Sequence, residues 1–129
     1  QQSLDGAVVF IASRNVPAPG PGASAYSVAK AGLTQLARVA SLELGSYGVR
    51  VNVLHPDCVY DTGLWSDDVL QGRAEKYGMS VEAYKSRNIL KKEVTSREVA
   101  EMVAAVAGPV FLKTTGAQIP IDGGNDRVI

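Results

Sequence analysis

Between residues 24 and 44 the chain carries only three charges, Lys30, Arg38 and Glu43, over a stretch long enough for about six helical turns. A helix this poor in charge must be covered on more than one side. A sheet covers one of them, because strand-like runs flank the helix, Ala7 to Ala12 before it and Val49 to Leu54 after it, the second broken by Pro56. Alternation of strand and helix implies parallel strands joined by right-handed crossovers. Ser24 is placed to cap the helix and Gly45 to end it.

The rest of the chain continues the alternation. Residues Gly63 to Glu93 are charged, contain Gly72 and Gly78, and predict two short helices, the second capped by Ser80. Thr95-Ser96-Arg97-Glu98 reads as a capping box opening a helix whose Val99, Met102, Val103 and Val106 form one stripe. Gly108-Pro109 stops it, and Ala117 to Ile121 is the last strand. The expected architecture is one α/β domain over residues 1–129, a three-stranded parallel sheet with helices on both faces. Its first strand would leave an apolar edge that needs a neighbour.

Composition removes several classes. Thirteen basic and thirteen acidic residues cancel, so nothing favours nucleic acid or an anionic membrane. No apolar run approaches the ~20 residues of a membrane span. The single cysteine, Cys58, rules out an internal disulfide and suits a reducing cytoplasm. His55, the only histidine, stands beside a proline without partners for a metal, so a structural role is expected and no metal site is proposed. Cys58 then has no histidine partner to activate it, Trp65 is expected to pack beneath residues Gly63 to Glu93, and Asn52 to satisfy backbone groups between loops.

Chemistry gathers at the start of the long helix. Tyr26 and Lys30 are four residues apart, on one helix face, and Ser13 follows the first strand. A phenol, an ammonium and a hydroxyl at the carboxyl end of a parallel strand suit proton transfer to or from a substrate oxygen. Alone, a Tyr and a Lys at this spacing are usually an ordinary surface pair, and Ser13 has a lesser alternative as the cap of a turn.

Order decides between these readings. Gly6-Ala7-Val8-Val9-Phe10-Ile11-Ala12-Ser13, Tyr26-Ser27-Val28-Ala29-Lys30-Ala31-Gly32-Leu33, Val49-Arg50-Val51-Asn52-Val53-Leu54-His55-Pro56 and Gly116-Ala117-Gln118-Ile119-Pro120-Ile121-Asp122-Gly123-Gly124 follow one another as in the short-chain dehydrogenase/reductase family, which this chain resembles. The resemblance covers nearly all of the chain but only the second half of the family's fold, a partial Rossmann (doubly wound) unit lacking the amino-terminal dinucleotide-binding half. Gly20-Pro21-Gly22 reads as a loop, since proline removes a backbone donor, and Gly123-Gly124 has no helix after it.

The resemblance implies hydride transfer between a nicotinamide cofactor, NAD or NADP, and a small alcohol or aldehyde. Tyr26 would be the general acid/base and Ser13 would hold the substrate oxygen. Lys30 would bind the nicotinamide ribose and ease loss of the phenolic proton. Pro56, Val59 and Thr62 would meet the nicotinamide and phosphates, although Asp57 stands where relatives commonly have Gly and Thr62 lies one position late. Residues 63–93 would form a substrate lid. The long helix would join a bundle between subunits of a homo-oligomer, its small residues Ala25, Ala29, Gly32 and Ala40 allowing close approach.

The runs His55 to Trp65 and Thr114 to Ile129 are similar to the dehydrogenase portion of bifunctional aldolase/short-chain dehydrogenases of deoxysugar breakdown, for which lactaldehyde would be a substrate. The chain alone is expected to be inactive. The alternative is a non-catalytic module that self-associates through the long helix and the sheet edge.

Overall fold

The computed structural model describes residues 5–124. Its elements in order are β1 (Ala7–Ile11), α1 (Ser24–Leu44), β2 (Arg50–Pro56), α2 (Asp67–Lys76), α3 (Val81–Lys85), α4 (Ser96–Ala107) and β3 (Gln118–Ile121). The sheet has the order β1-β2-β3 and both pairings are parallel, with Ala7 opposite Arg50, Ile11 opposite Leu54 and Val53 opposite Gln118. The expected α/β class, three-stranded parallel sheet and flanking helices are all present.

β2 is central and buried on both faces. Val51, Val53 and Leu54 have essentially no exposed surface. Side chains alternate across a strand. Val49, Val51 and Val53 accordingly pack with Ala37, Ala40 and Leu44 of α1, while Arg50 points to the other face. There its guanidinium donates to the carbonyls of Val106 (2.9 Å), Ala107 (2.8 Å), Gly108 (3.4 Å) and Phe111 (3.1 Å), the open end of α4. Helix C-termini leave carbonyls without partners and carry partial negative charge, so one cation satisfies both needs.

Two polar residues of β2 are buried and paired. Asn52 donates from Nδ2 to the Thr114 carbonyl (2.9 Å) and accepts from the Ala117 N–H (3.0 Å), fastening the approach to β3, as expected of it. The strand also runs on through His55 and Pro56, past the expected end at Leu54. Proline lacks only the donor, and the Pro56 carbonyl still accepts from Arg14 N–H (3.0 Å).

The ends of α1 differ from expectation. Ala23, not Ser24, is the N-cap, and no side chain caps it. Gly45 stays in the right-handed helical region and the chain tightens into a 3-10 turn over Gly45–Tyr47. Termination falls to Gly48, whose φ of 76° is left-handed and open to glycine. Only Thr34 and Ala37 of α1 are buried, and Val28, Leu36, Val39 and Leu42 stand exposed on its outer side. Ala25, Ala29 and Gly32 share that exposure, whereas Ala40 packs inward on the sheet and does not belong to the outer surface.

α2 and α3 are the two short helices expected within residues 63–93, the second capped by Ser80. They enclose a separate small core of Tyr60, Leu70, Ala74 and Tyr84, with Trp65 against it. The start of α4 has the expected capping box. It is reinforced by Asp61, whose carboxylate accepts from the Ser96 N–H (2.9 Å) and hydroxyl (2.7 Å). After β3 the chain turns at Gly123, where φ is 67° and a Cβ would run into Asn88. Asn125 to Ile129, part of the run likened to the aldolase-linked group, lie outside the described residues.

Two predictions follow from these contacts. Replacing Arg50 with Ala strands up to four carbonyls and should cost about 2–3 kcal/mol in urea denaturation, Arg50→Lys restoring less than half, because an ammonium lacks the fork. The second concerns acid. Hydrogen bonds from Ser96 hold the Asp61 carboxyl below its ordinary 3.8, and those from Thr95 hold Glu98 below 4.5. Folded values below the unfolded ones give stability that is present above those pH values and lost as pH falls through the lowered ones. The thermal midpoint should therefore fall more steeply below about pH 3.8 in the wild-type chain than in Asp61→Asn; equal slopes would contradict this.

Candidate active site

Parallel pairing brings the ends of β1 and β2 to the same side of the sheet. Beyond them opens a cleft of about 990 Å³. Ser13, Tyr26, Lys30, Pro56, Val59 and Thr62 all line it, so every site residue expected from the sequence meets in one place.

Ser13 is held from three directions. Its carbonyl accepts from Val16 N–H (3.0 Å) and faces His55 Nδ1 (2.9 Å), and its hydroxyl accepts from Asn15 N–H (3.1 Å). Ser13 thus caps a turn, and a hydroxyl that accepts from Asn15 keeps its own proton to donate into the cleft. His55 is structural, as expected. Nδ1 meets a carbonyl and so bears the proton in this contact, while Nε2 meets the side-chain amide of Gln118 (3.2 Å).

Tyr26 is 46% exposed, one turn above Lys30 on α1. The Lys30 ammonium donates to the Ile11 carbonyl (3.0 Å) and lies 5.8 Å from the centre of the Tyr26 ring. Lysine thus ties α1 to the end of β1 with one of three donors, leaving two for a ligand. Thr62 donates to the Val59 carbonyl (2.9 Å), closing the loop that follows β2.

The acid at position 57 is answered by a residue the sequence reading did not single out. Arg14 Nε lies 2.9 Å from Asp57 Oδ1 with both side chains largely buried, an ion pair although Nε makes no aligned hydrogen bond. The signal was available in the register. Ile11 faces Leu54, so three residues further along each strand Arg14 faces Asp57. The pair removes an unopposed negative charge from a cleft expected to receive phosphates.

The far wall comes from residues 63–93, with Leu64, Trp65, Arg73, Tyr77, Tyr84 and Arg87 lining the cleft. Trp65 meets Tyr60 edge to face at 4.9 Å and is half-buried, the packing role expected of it. Burial, then the neighbouring Asp57 charge, pushes the Cys58 thiol above its ordinary value, which disfavours the thiolate a nucleophile needs. Burial likewise pushes the Tyr60 and Tyr84 phenols up. Among the described residues no group of His, Cys, Asp or Glu is arranged to hold a metal, and no helix is long and apolar enough to cross a membrane.

Comparison with known proteins agrees with this geometry. A family model described as enoyl-(acyl carrier protein) reductase matches residues 1–126. The uncharacterized oxidoreductase YuxG of Bacillus subtilis is 38% identical over 128 residues, 95% of this chain and 19% of that protein. The 2,3-dihydro-2,3-dihydroxybenzoate dehydrogenase of Escherichia coli is 36% identical over 124 residues, 93% of this chain and 49% of that protein. The NADPH-bound short chain oxidoreductase of Pseudomonas aeruginosa superposes with a TM-score of 0.79 at 29% identity, over 95% of this chain and 47% of that one. The chain thus spans half or less of the length of these relatives. A family model spanning nearly every residue, laid over a sheet whose strand ends gather Ser13, Tyr26 and Lys30, makes this chain a member of the short-chain dehydrogenase/reductase family.

Proposed function

We propose that the protein containing this chain transfers a hydride between a nicotinamide dinucleotide and the alcohol or carbonyl carbon of a small molecule. The observation that carries this is the convergence of Ser13, Tyr26 and Lys30 on the cleft also lined by Pro56, Val59 and Thr62. The residues fit the nicotinamide end of such a cofactor: cations and several neutral donors line the site, and its one acid is paired. When bound, the dinucleotide, NAD or NADP, supplies the hydride acceptor or donor.

The chain's own residues supply the rest. Tyr26 passes a proton to or from the substrate oxygen, and Ser13 donates to that oxygen. Lys30, already anchored on Ile11, binds the ribose with its remaining donors. Val59 and Thr62 offer contacts to the carboxamide and phosphates, and residues 63–93 cover the substrate as a lid.

YuxG is far longer than the stretch it shares with this chain. That length leaves room for another catalytic domain and supports the narrower reading of an aldolase joined to a dehydrogenase. Such an enzyme oxidises an aldehyde its own aldolase releases, of which lactaldehyde is one. We place the protein in the cytoplasm as a homo-oligomer, with the exposed apolar side of α1 at a subunit contact. The same observation favours a second reading for the chain by itself, a self-associating module without activity.

Tyr26→Phe in the full-length protein should lower turnover by about two to four orders of magnitude while leaving dinucleotide affinity nearly unchanged, because only the transferable proton is lost. More than roughly a tenth of wild-type turnover, with chemistry limiting, removes Tyr26 from this role.

The 129-residue chain by itself should neither bind the dinucleotide tightly nor oxidise alcohols, and should self-associate. Micromolar NAD binding in calorimetry contradicts the first part, and a monodisperse monomer at high micromolar concentration in light scattering contradicts the second.

A further inference from the structure

The charged side chains lining the cleft are Arg14, Lys30, Arg73, Arg87, Lys91 and a single acid, Asp57. Arg14 is paired with Asp57, and Lys30 is anchored on Ile11. Arg73 on α2, Arg87 just after α3 and Lys91 beyond it remain on the lid side, and none of them forms an ion pair among the described residues.

Arg87 is the unusual one. It is half-buried, with its guanidinium carbon 4.4 Å from the centre of the Tyr84 ring and 5.3 Å from that of Tyr77. Its Nη2 lies 4.0 Å from Cys58 Sγ, a contact too weak to replace a carboxylate. The Asp57 charge reaches it only at longer range, already committed to Arg14. Burial keeps the adjacent Tyr60 and Tyr84 phenols and the Cys58 thiol in their neutral forms, so none of them supplies a counter-ion. Ring stacking holds the faces of a guanidinium and leaves its edge donors for a planar or tetrahedral anion. Withdrawing a cation from water without an anion is costly, so a ligand that brings the anion is favoured.

We propose that Arg87, assisted by Arg73, binds a carboxylate or phosphate group of the substrate, while Ser13 and Tyr26 meet the reacting oxygen at the other side of the same cleft. This rests on the hydride-transfer reading and departs from it in one point: a substrate carrying an anion replaces neutral lactaldehyde, which lacks the anchor.

The test uses the full-length protein loaded with dinucleotide, and compares hydroxy-carboxylates with their methyl esters. The wild-type enzyme should favour the charged member by about tenfold or more in kcat/KM, and Arg87→Met should remove most of that preference, chiefly through KM. Arg87→Lys should recover part of it. Arg73→Gln, at an exposed helix position, is the second variant in case Arg87→Met does not fold, and should cost the charged substrate a few-fold. Calorimetric titration with inorganic phosphate reads the same site without turnover, and binding should weaken about tenfold in Arg87→Met.

Arg87-dependent phosphate binding without oxidation of any alcohol would overturn the hydride-transfer reading and leave the anion site standing. Oxidation of alcohols with no preference for charge would overturn the anion site alone. Loss of dinucleotide affinity in Arg87→Met, with charge preference retained, would assign the cation to a cofactor phosphate and overturn its substrate role.

Discussion

Everything in this chain is referred to β2. It pairs in parallel with a strand on either side, it is buried on both faces, and its polar residues are fasteners. Arg50 closes the end of α4, Asn52 fixes the approach to β3, and His55 fixes the backbone of Ser13. Alternation along a strand explains how one segment does this, since Val51 and Val53 face α1 while Arg50 and Asn52 face α4 and the loop that follows it. Burying polar groups in the central strand is tolerable only because each is satisfied.

The same strand determines where the chemistry sits. Parallel pairing puts the exits of β1 and β2 side by side, and the tethers there are backbone-directed: Lys30 on Ile11, His55 on Ser13, Thr62 on Val59. Side chains that hold main-chain carbonyls position loops without consuming the groups that face a ligand. The Arg14–Asp57 pair belongs to the same design, joining the two strand exits and removing an unopposed acid from the cleft. Its near-burial makes it costly to break from one side, since either partner alone would be an uncompensated charge.

α1 and residues 63–93 represent two different states of completion. The segment of residues 63–93 has its own aromatic core and is closed on itself. α1 buries one side on the sheet and leaves Val28, Leu36 and Leu42 in water, as a helix made for two neighbours would. β1 behaves likewise, with Val8 and Ile11 more than a third exposed and no second neighbour among the described residues. These surfaces are consistent with a chain that spans half or less of its relatives' length.

Periodicity and punctuation made the architecture legible. The charge-poor span of α1, the capping box of α4 and the β-branched runs gave each element to within a few residues, because local sterics and hydrogen bonding govern them. The convergence of Ser13, Tyr26 and Lys30 was legible too, since helix spacing and parallel topology together leave little freedom. Tertiary structure decided the rest. Gly45 lost its role as terminator to Gly48, and Ala40 turned inward, according to how α1 meets the sheet. Arg50, Arg14 and Arg87 acquired partners distant in sequence, or lacked one, through register and packing alone. Long charged side chains carry no periodic signal of their own, so what they hold is settled only when strands and loops fix which carbonyl, carboxylate or ring lies within reach.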